Sequence, residues 1–222
     1  MGRRAALSPG RLGGIAFLLS GGLYLIKSVL DFYVGDPPST GPEILAWRSS
    51  HEVALAWIDE VLFAATVLLI PGVIALYRAL DGSNRAWVGF GCGTLAATIP
   101  TLFAVLIVHG RLAFPVYGMR VDDPTTITLL VSLYYGGLHA VNLLFAGACI
   151  VLGLSMRRGV FGSVAGMVGV AAGATQLVVA YPWLVDPGII LVFQAILAAW
   201  LLLSGWRMAQ PSIPSTTAPR AP

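Results

Sequence analysis

Hydrophobic residues run along the chain in six long stretches separated by short polar breaks, at about residues 11–34, 52–80, 85–108, 125–156, 159–183 and 187–207. Each reaches the ~20 residues that an α-helix needs to cross a ~30 Å hydrocarbon core. The pattern predicts an all-α fold, a polytopic integral membrane bundle of six transmembrane helices filling residues 1–210. The remaining segment, 211–222, is rich in Pro, Ser and Thr. With so little apolar area to bury it cannot offset its ordering entropy, and it is expected to be a disordered tail.

The polar breaks are punctuated as helix starts. Asp123-Pro124 and Asp186-Pro187 each place a carboxylate at the cap and proline at the first helical position. Thr40-Gly41-Pro42-Glu43 reads as a capping box opening a short interfacial helix with Trp47 near its end, and Ser49 with Glu52 repeats the device before the second span. Arg3 and Arg4 ahead of an apolar run resemble a signal peptide, yet the run is too long and lacks a small-residue cleavage pattern before Asp36. It is read as an uncleaved first helix. Ala6 breaks the myristoylation pattern.

Composition agrees. The 222 residues are 57% hydrophobic and only 10% charged, against about 25% charged in a soluble domain. The net charge of +3 does not point to nucleic acid, because the arginines flank apolar spans instead of forming a basic patch with interleaved aromatics. They set direction instead. Arg3, Arg4, Arg11, Arg78, Arg85, Arg157, Arg158, Arg207 and Arg220 fall on one side, and only Arg48, Arg111 and Arg120 on the other. By the positive-inside rule both termini are expected to be cytoplasmic, with Asp36, Glu43, Glu52, Asp122, Asp123 and Asp186 facing outward from a cell inner membrane. Cys92 and Cys149 lie in apolar spans without a CxxC, which gives a thiol relay no support.

Glycines at four-residue spacing, Gly89 with Gly93, Gly162 with Gly166 and Gly169 with Gly173, predict close packing by the third and fifth spans. Pro71 and Pro100 inside the second and third spans each remove a backbone donor and are expected to bend them.

The informative residues are polar ones inside the spans, where a charge costs at least ~2.5 to 3.5 kcal/mol and is a functional candidate by default. Lys27 and Asp31 stand four apart on the first span, one face with Ser20 and Tyr24, and form a candidate ion pair. Asp59 and Glu60 are neighbours on the second, about 100° apart around the helix, so one is expected to face a cavity and the other a separate partner. Tyr135, His139 and Asn142 share one face of the fourth span, and Gln176 and Gln194 add amides on the fifth and sixth. Their agreement in depth predicts one shared cavity open to the outside. Within it Asp59, Glu60 and His139 are the candidate catalytic groups, with Lys27, Asp31, Tyr135, Asn142, Gln176 and Gln194 as ligand contacts and with Lys27 and His139 as partners of the two acids. The structural alternative is a closed ion-pair network that fixes helix register, or snorkelling of Lys27 and Asp31 to the interface. His51 and His109, near the external ends, are expected to be solvated.

Three scattered histidines give no HExxH, no His box and no facing haem pair. No metal or cofactor is expected. The expected partners are the lipid bilayer and a small amphipathic or lipophilic molecule, and no sequence feature sets an oligomeric state. Two alternatives stand beside a binder. Burial raises carboxyl pKa values, so Asp59 or Glu60 as a general acid would suit an acid–base enzyme acting on a lipid or isoprenoid, the principle of membrane terpenoid cyclases. Buried acids, a lysine and two bent helices would also suit a proton-coupled transporter of a small solute, although no inverted repeat is apparent.

The run Arg11-Leu12-Gly13-Gly14, the end of the second span at Ala75-Leu76-Tyr77-Arg78-Ala79-Leu80, the step through Asn84-Arg85 and the passage from Gly153 to Arg157, Arg158 and Gly159 carry a likeness over most of the length. In these the chain resembles a bacterial family of small six-helix membrane proteins known as a domain of unknown function. The resemblance implies the six-helix fold and brings no activity or site with it.

Overall fold

The computed structural model describes residues 8–80, 84–157 and 159–210. Arg3, Arg4, Arg158, Arg220 and the tail 211–222 lie outside them.

The described residues form seven α-helices: α1 (Pro9–Val34), α2 (Gly41–Ser50), α3 (Glu52–Ala79), α4 (Arg85–Ala113), α5 (Pro124–Met156), α6 (Gly162–Val179) and α7 (Pro187–Ala209). All but the short α2 are long and apolar enough to cross a membrane, so the chain is a multi-pass helical membrane protein. The proline starts form as expected. Asp123 accepts from the Thr126 amide at 2.7 Å and Asp186 from the Gly188 amide at 2.8 Å, each filling one of the donors that a helix start leaves unpaired. Ser8 does the same ahead of Pro9, accepting from the Arg11 amide. At α2 the box forms in part: the Thr40 hydroxyl donates to the Glu43 carboxylate at 2.7 Å and caps no amide. The second box does not form. Ser49 donates to the Ala46 carbonyl inside α2, Glu52 pairs with Arg120, and His51 is the cap residue of α3.

The six long helices close a ring in chain order, α1 on α3, α3 on α4, α4 on α5, α5 on α6, α6 on α7 and α7 back on α1. Their outer surface carries large apolar side chains, such as Leu19, Ile26, Trp57, Ile107 and Val192, as lipid exposure requires. Inside, toward the end where α1 begins and α7 ends, the ring is filled solid. Phe17 and Trp200 meet edge to face at 6.2 Å, among Leu69, Leu76, Leu95 and Leu152.

Backbones touch where glycine meets glycine. A Cβ on Gly14 would lie 2.8 Å from the Gly205 carbonyl oxygen and 2.6 Å from the Ala209 nitrogen, so α1 and α7 touch backbone to backbone. Gly153 and Gly166 do the same for α5 and α6, with Gly169 against Trp200 and Gly173 against the Ala146 carbonyl. The expected Gly89–Gly93 seam is not used. Both glycines look outward with no neighbour within 4 Å, and α4 instead packs on α5 through Gly91 against Leu152. Both α3 and α4 continue as helices through Pro71 and Pro100.

The third span runs to Ala113, five residues past its expected end. The fifth stops at Val179, and a 3-10 turn at Pro182–Leu184 completes the connection to α7.

Candidate functional site

At the end of the bundle that carries α2, the helices part around a narrow cavity with an open mouth. One wall comes from the last three turns of α1. Tyr24, Lys27 and Asp31 recur at three- and four-residue spacing and so stack on one face. Lys27 is buried, and its ammonium is paired with the Asp31 carboxylate at 2.5 Å, with Asp31 remaining 37% exposed. The expected intrahelical ion pair is therefore present, and it borders the cavity.

The second wall is α5, which contributes Val131, Tyr134, Tyr135, Leu138 and Asn142. The start of α7 adds Ile190, Leu191 and Gln194, while Ile58 of α3 and Leu112 of α4 close the circle. Tyr24 forms part of the inner lining and rests edge to face on Phe145 at 5.7 Å. Trp47 of α2 reaches the mouth, where its indole donates to the Val34 carbonyl. Arg48 holds α2 to the α4–α5 connection through Asp122 at 2.9 Å and the Val121 carbonyl at 2.7 Å. Asp36 also lines the mouth. Partial burial and the neighbouring Asp186 carboxylate push its pKa above the ordinary aspartate value.

Five of the nine candidate residues line this cavity: Lys27, Asp31, Tyr135, Asn142 and Gln194. Gln176 stands behind Gln194, donating to its side-chain oxygen at 3.2 Å, and its own buried Oε1 has no partner. The three candidate catalytic residues do not line it. Glu60 is exposed on the outer face of α3, in a groove with Trp57, Phe114 and Pro115. His139 is partly buried outside the cavity. Its Nδ1 donates to the Ala180 carbonyl at 2.6 Å, and its ring packs on Tyr181 and Trp183. Together with Asn142, which donates to the Val179 carbonyl at 3.1 Å, it satisfies carbonyls left over where α6 stops.

Asp59 is turned inward as expected of one of the two acids, but its partner is neither Lys27 nor His139. It bonds Nδ1 of His109 at 3.0 Å. His109 is not solvated: it is 3% exposed, lines the cavity and stacks on Tyr134 with ring centroids 4.7 Å apart. The extension of α4 explains the difference. Leu102, Val105, Leu106, His109 and Leu112 follow one another at helical spacing on the buried face. That periodicity, continued past residue 108, is the signal that identifies His109 from sequence.

No group of three or more metal-ligating side chains occurs among the described residues. Comparison with protein-family models, curated proteins and solved structures finds no match for this chain.

Proposed function

We propose that this protein binds a small amphipathic or lipophilic molecule in the cavity beneath α2, with the mouth on the external face of the membrane and both termini in the cytoplasm. The observation that carries the reading is the mixed lining. A half-buried ion pair, two amides and three tyrosines share one space with Ile58, Leu112, Val131, Leu138, Ile190 and Leu191. A few fixed polar groups on apolar walls is the composition of a small-molecule site. The orientation rests on the arginine asymmetry.

Single cysteines at Leu138, Ile190 and Leu191 test it, since the natural Cys92 and Cys149 are buried and give little background. A membrane-impermeant maleimide added to intact spheroplasts is expected to label all three, and a copurifying lipophile detected by mass spectrometry is expected to protect them. Labelling only after permeabilisation would reverse the orientation. Absence of labelling in both conditions would remove the open cavity.

A second reading, an acid–base enzyme acting on a lipid or isoprenoid, is favoured by one observation: Asp59 touches a histidine that lines the cavity. Turnover of a lipid extract by purified protein, lost in Asp59→Asn, would support it. Bound lipid without turnover favours the binder.

A further inference from the structure

We propose that the Asp59–His109 pair is a hydrogen-bond acceptor site of the cavity that selects lipophilic molecules with an alcohol or phenol head group. This rests on the cavity-binding reading and adds the chemistry of the head group.

A carboxylate has no proton to donate, so the bond between Asp59 Oδ1 and His109 Nδ1, 3.0 Å long, puts the ring proton on Nδ1. In a neutral imidazole the other nitrogen then carries a lone pair, and the group that holds one nitrogen decides the role of the second. Asp59 is thus a positioning residue, and Nε2 of His109 is the atom left to meet an occupant. The ring is fixed on its other side by Tyr134 of α5 at 4.7 Å, which limits the directions the lone pair can take.

The remaining charges narrow the class. Groups near the ring are Asp59 from α3 and Tyr134 from α5, and the α1 wall of the same cavity adds Lys27 and Asp31. The one ammonium is already taken by Asp31. Asp31 and Asp36 line the space and Asp59 stands behind His109, so three carboxylates outnumber one cation. An anionic head group would be repelled and would find no donor cation. A neutral hydroxyl can donate to Nε2 with its tail against Ile58, Leu112 and Val131.

The test uses full-length protein in lipid nanodiscs at pH 8 with ¹⁵N-labelled histidine. The chain has three histidines, which keeps the spectrum assignable. The probes are 4-nonylphenol and its methyl ether, which share shape and tail and differ in the donor. For His109, Nε2 is expected to resonate as an unprotonated nitrogen and Nδ1 as a protonated one, with Nε2 shifting on addition of the phenol and not of the ether. The phenol is expected to bind about two- to tenfold more tightly, the value of one net hydrogen bond. In Asp59→Asn the amide can donate to Nδ1 and move the proton to Nε2, so the preference is expected to fall to parity while ether binding persists. A protonated Nε2 in the wild type, or equal binding of phenol and ether there, overturns the acceptor assignment and leaves the cavity reading standing. Saturable binding of neither probe overturns both. The wild-type measurements decide the matter even where the variant fails to fold.

Discussion

Replacing Gly14 by alanine should weaken the bundle, whereas the same change at Gly22, two turns further along α1, should not. A Cβ on Gly14 would stand 2.6 Å from the Ala209 nitrogen and 2.8 Å from both the Gly205 oxygen and the Met208 carbonyl carbon. All three are backbone atoms of α7, which cannot turn aside as a side chain can. At Gly22 nothing lies within 4 Å. Both substitutions gain about 1 kcal/mol of helix propensity, and that gain cancels in the difference between them. What remains is overpacking of the α1–α7 crossing, about 1–3 kcal/mol, with the upper part of the range expected because α7 must shift as a unit. Unfolding in mixed micelles of increasing SDS fraction, followed by loss of helical circular dichroism, measures the difference. Gly205→Ala should repeat the loss, since its Cβ would meet the Leu18 nitrogen at 2.6 Å and the Gly14 oxygen at 2.7 Å. A Gly14→Ala protein as stable as Gly22→Ala would refute the backbone contact.

Lys27→Met should cost about 1–3 kcal/mol, less than a fully buried pair because Asp31 keeps 37% of its side chain in reach of water. The double variant Lys27→Met, Asp31→Leu should recover most of the loss in the same unfolding assay. Asn142→Leu strips the Val179 carbonyl of its donor at the end of α6 and should cost about 1–3 kcal/mol, with amide exchange rising first at residues 176–180. The Asp123 cap predicts an acid dependence. Hydrogen bonds from Thr126 hold the Asp123 carboxyl below the usual aspartate value in the folded protein. Its contribution is therefore complete above the unfolded pKa of ~3.9 and lost as pH falls through the lower folded value. Asp123→Asn should flatten that part of a stability–pH profile. Cys92 and Cys149 should resist even a membrane-permeant maleimide until the bundle unfolds.

Polar punctuation made the architecture legible. Asp123-Pro124 and Asp186-Pro187 start α5 and α7 where the sequence places them, because cap chemistry is local. The face each helix turns inward was harder to read, for a reason peculiar to lipid: interior and exterior are both apolar, so the periodic contrast that orients a helix in water is weak. On α3, Trp57 is 60% exposed and Leu62 1%, yet either suits either side. The same ambiguity sent Gly89 and Gly93 outward against expectation, while Gly14 and Gly205, one on each of two distant segments, formed a backbone-to-backbone crossing without a pair of glycines four apart in α7. Among polar residues, spacing identified the Lys27–Asp31 pair, which lies within one helix. The Asp59–His109 bond joins residues fifty positions apart and depends on how far α4 extends.

The solid packing of Phe17, Trp200, Leu69 and Leu152 below the cavity has a consequence for how the protein can meet its surroundings. The hollow is a blind cup, sealed at the bottom by a plug of aromatic and aliphatic side chains. A molecule that enters must leave by the same door or slip sideways between helices into the bilayer. Passage straight through would require the Trp200 layer to break apart, and with it the glycine crossings on which α1 and α7 close the ring.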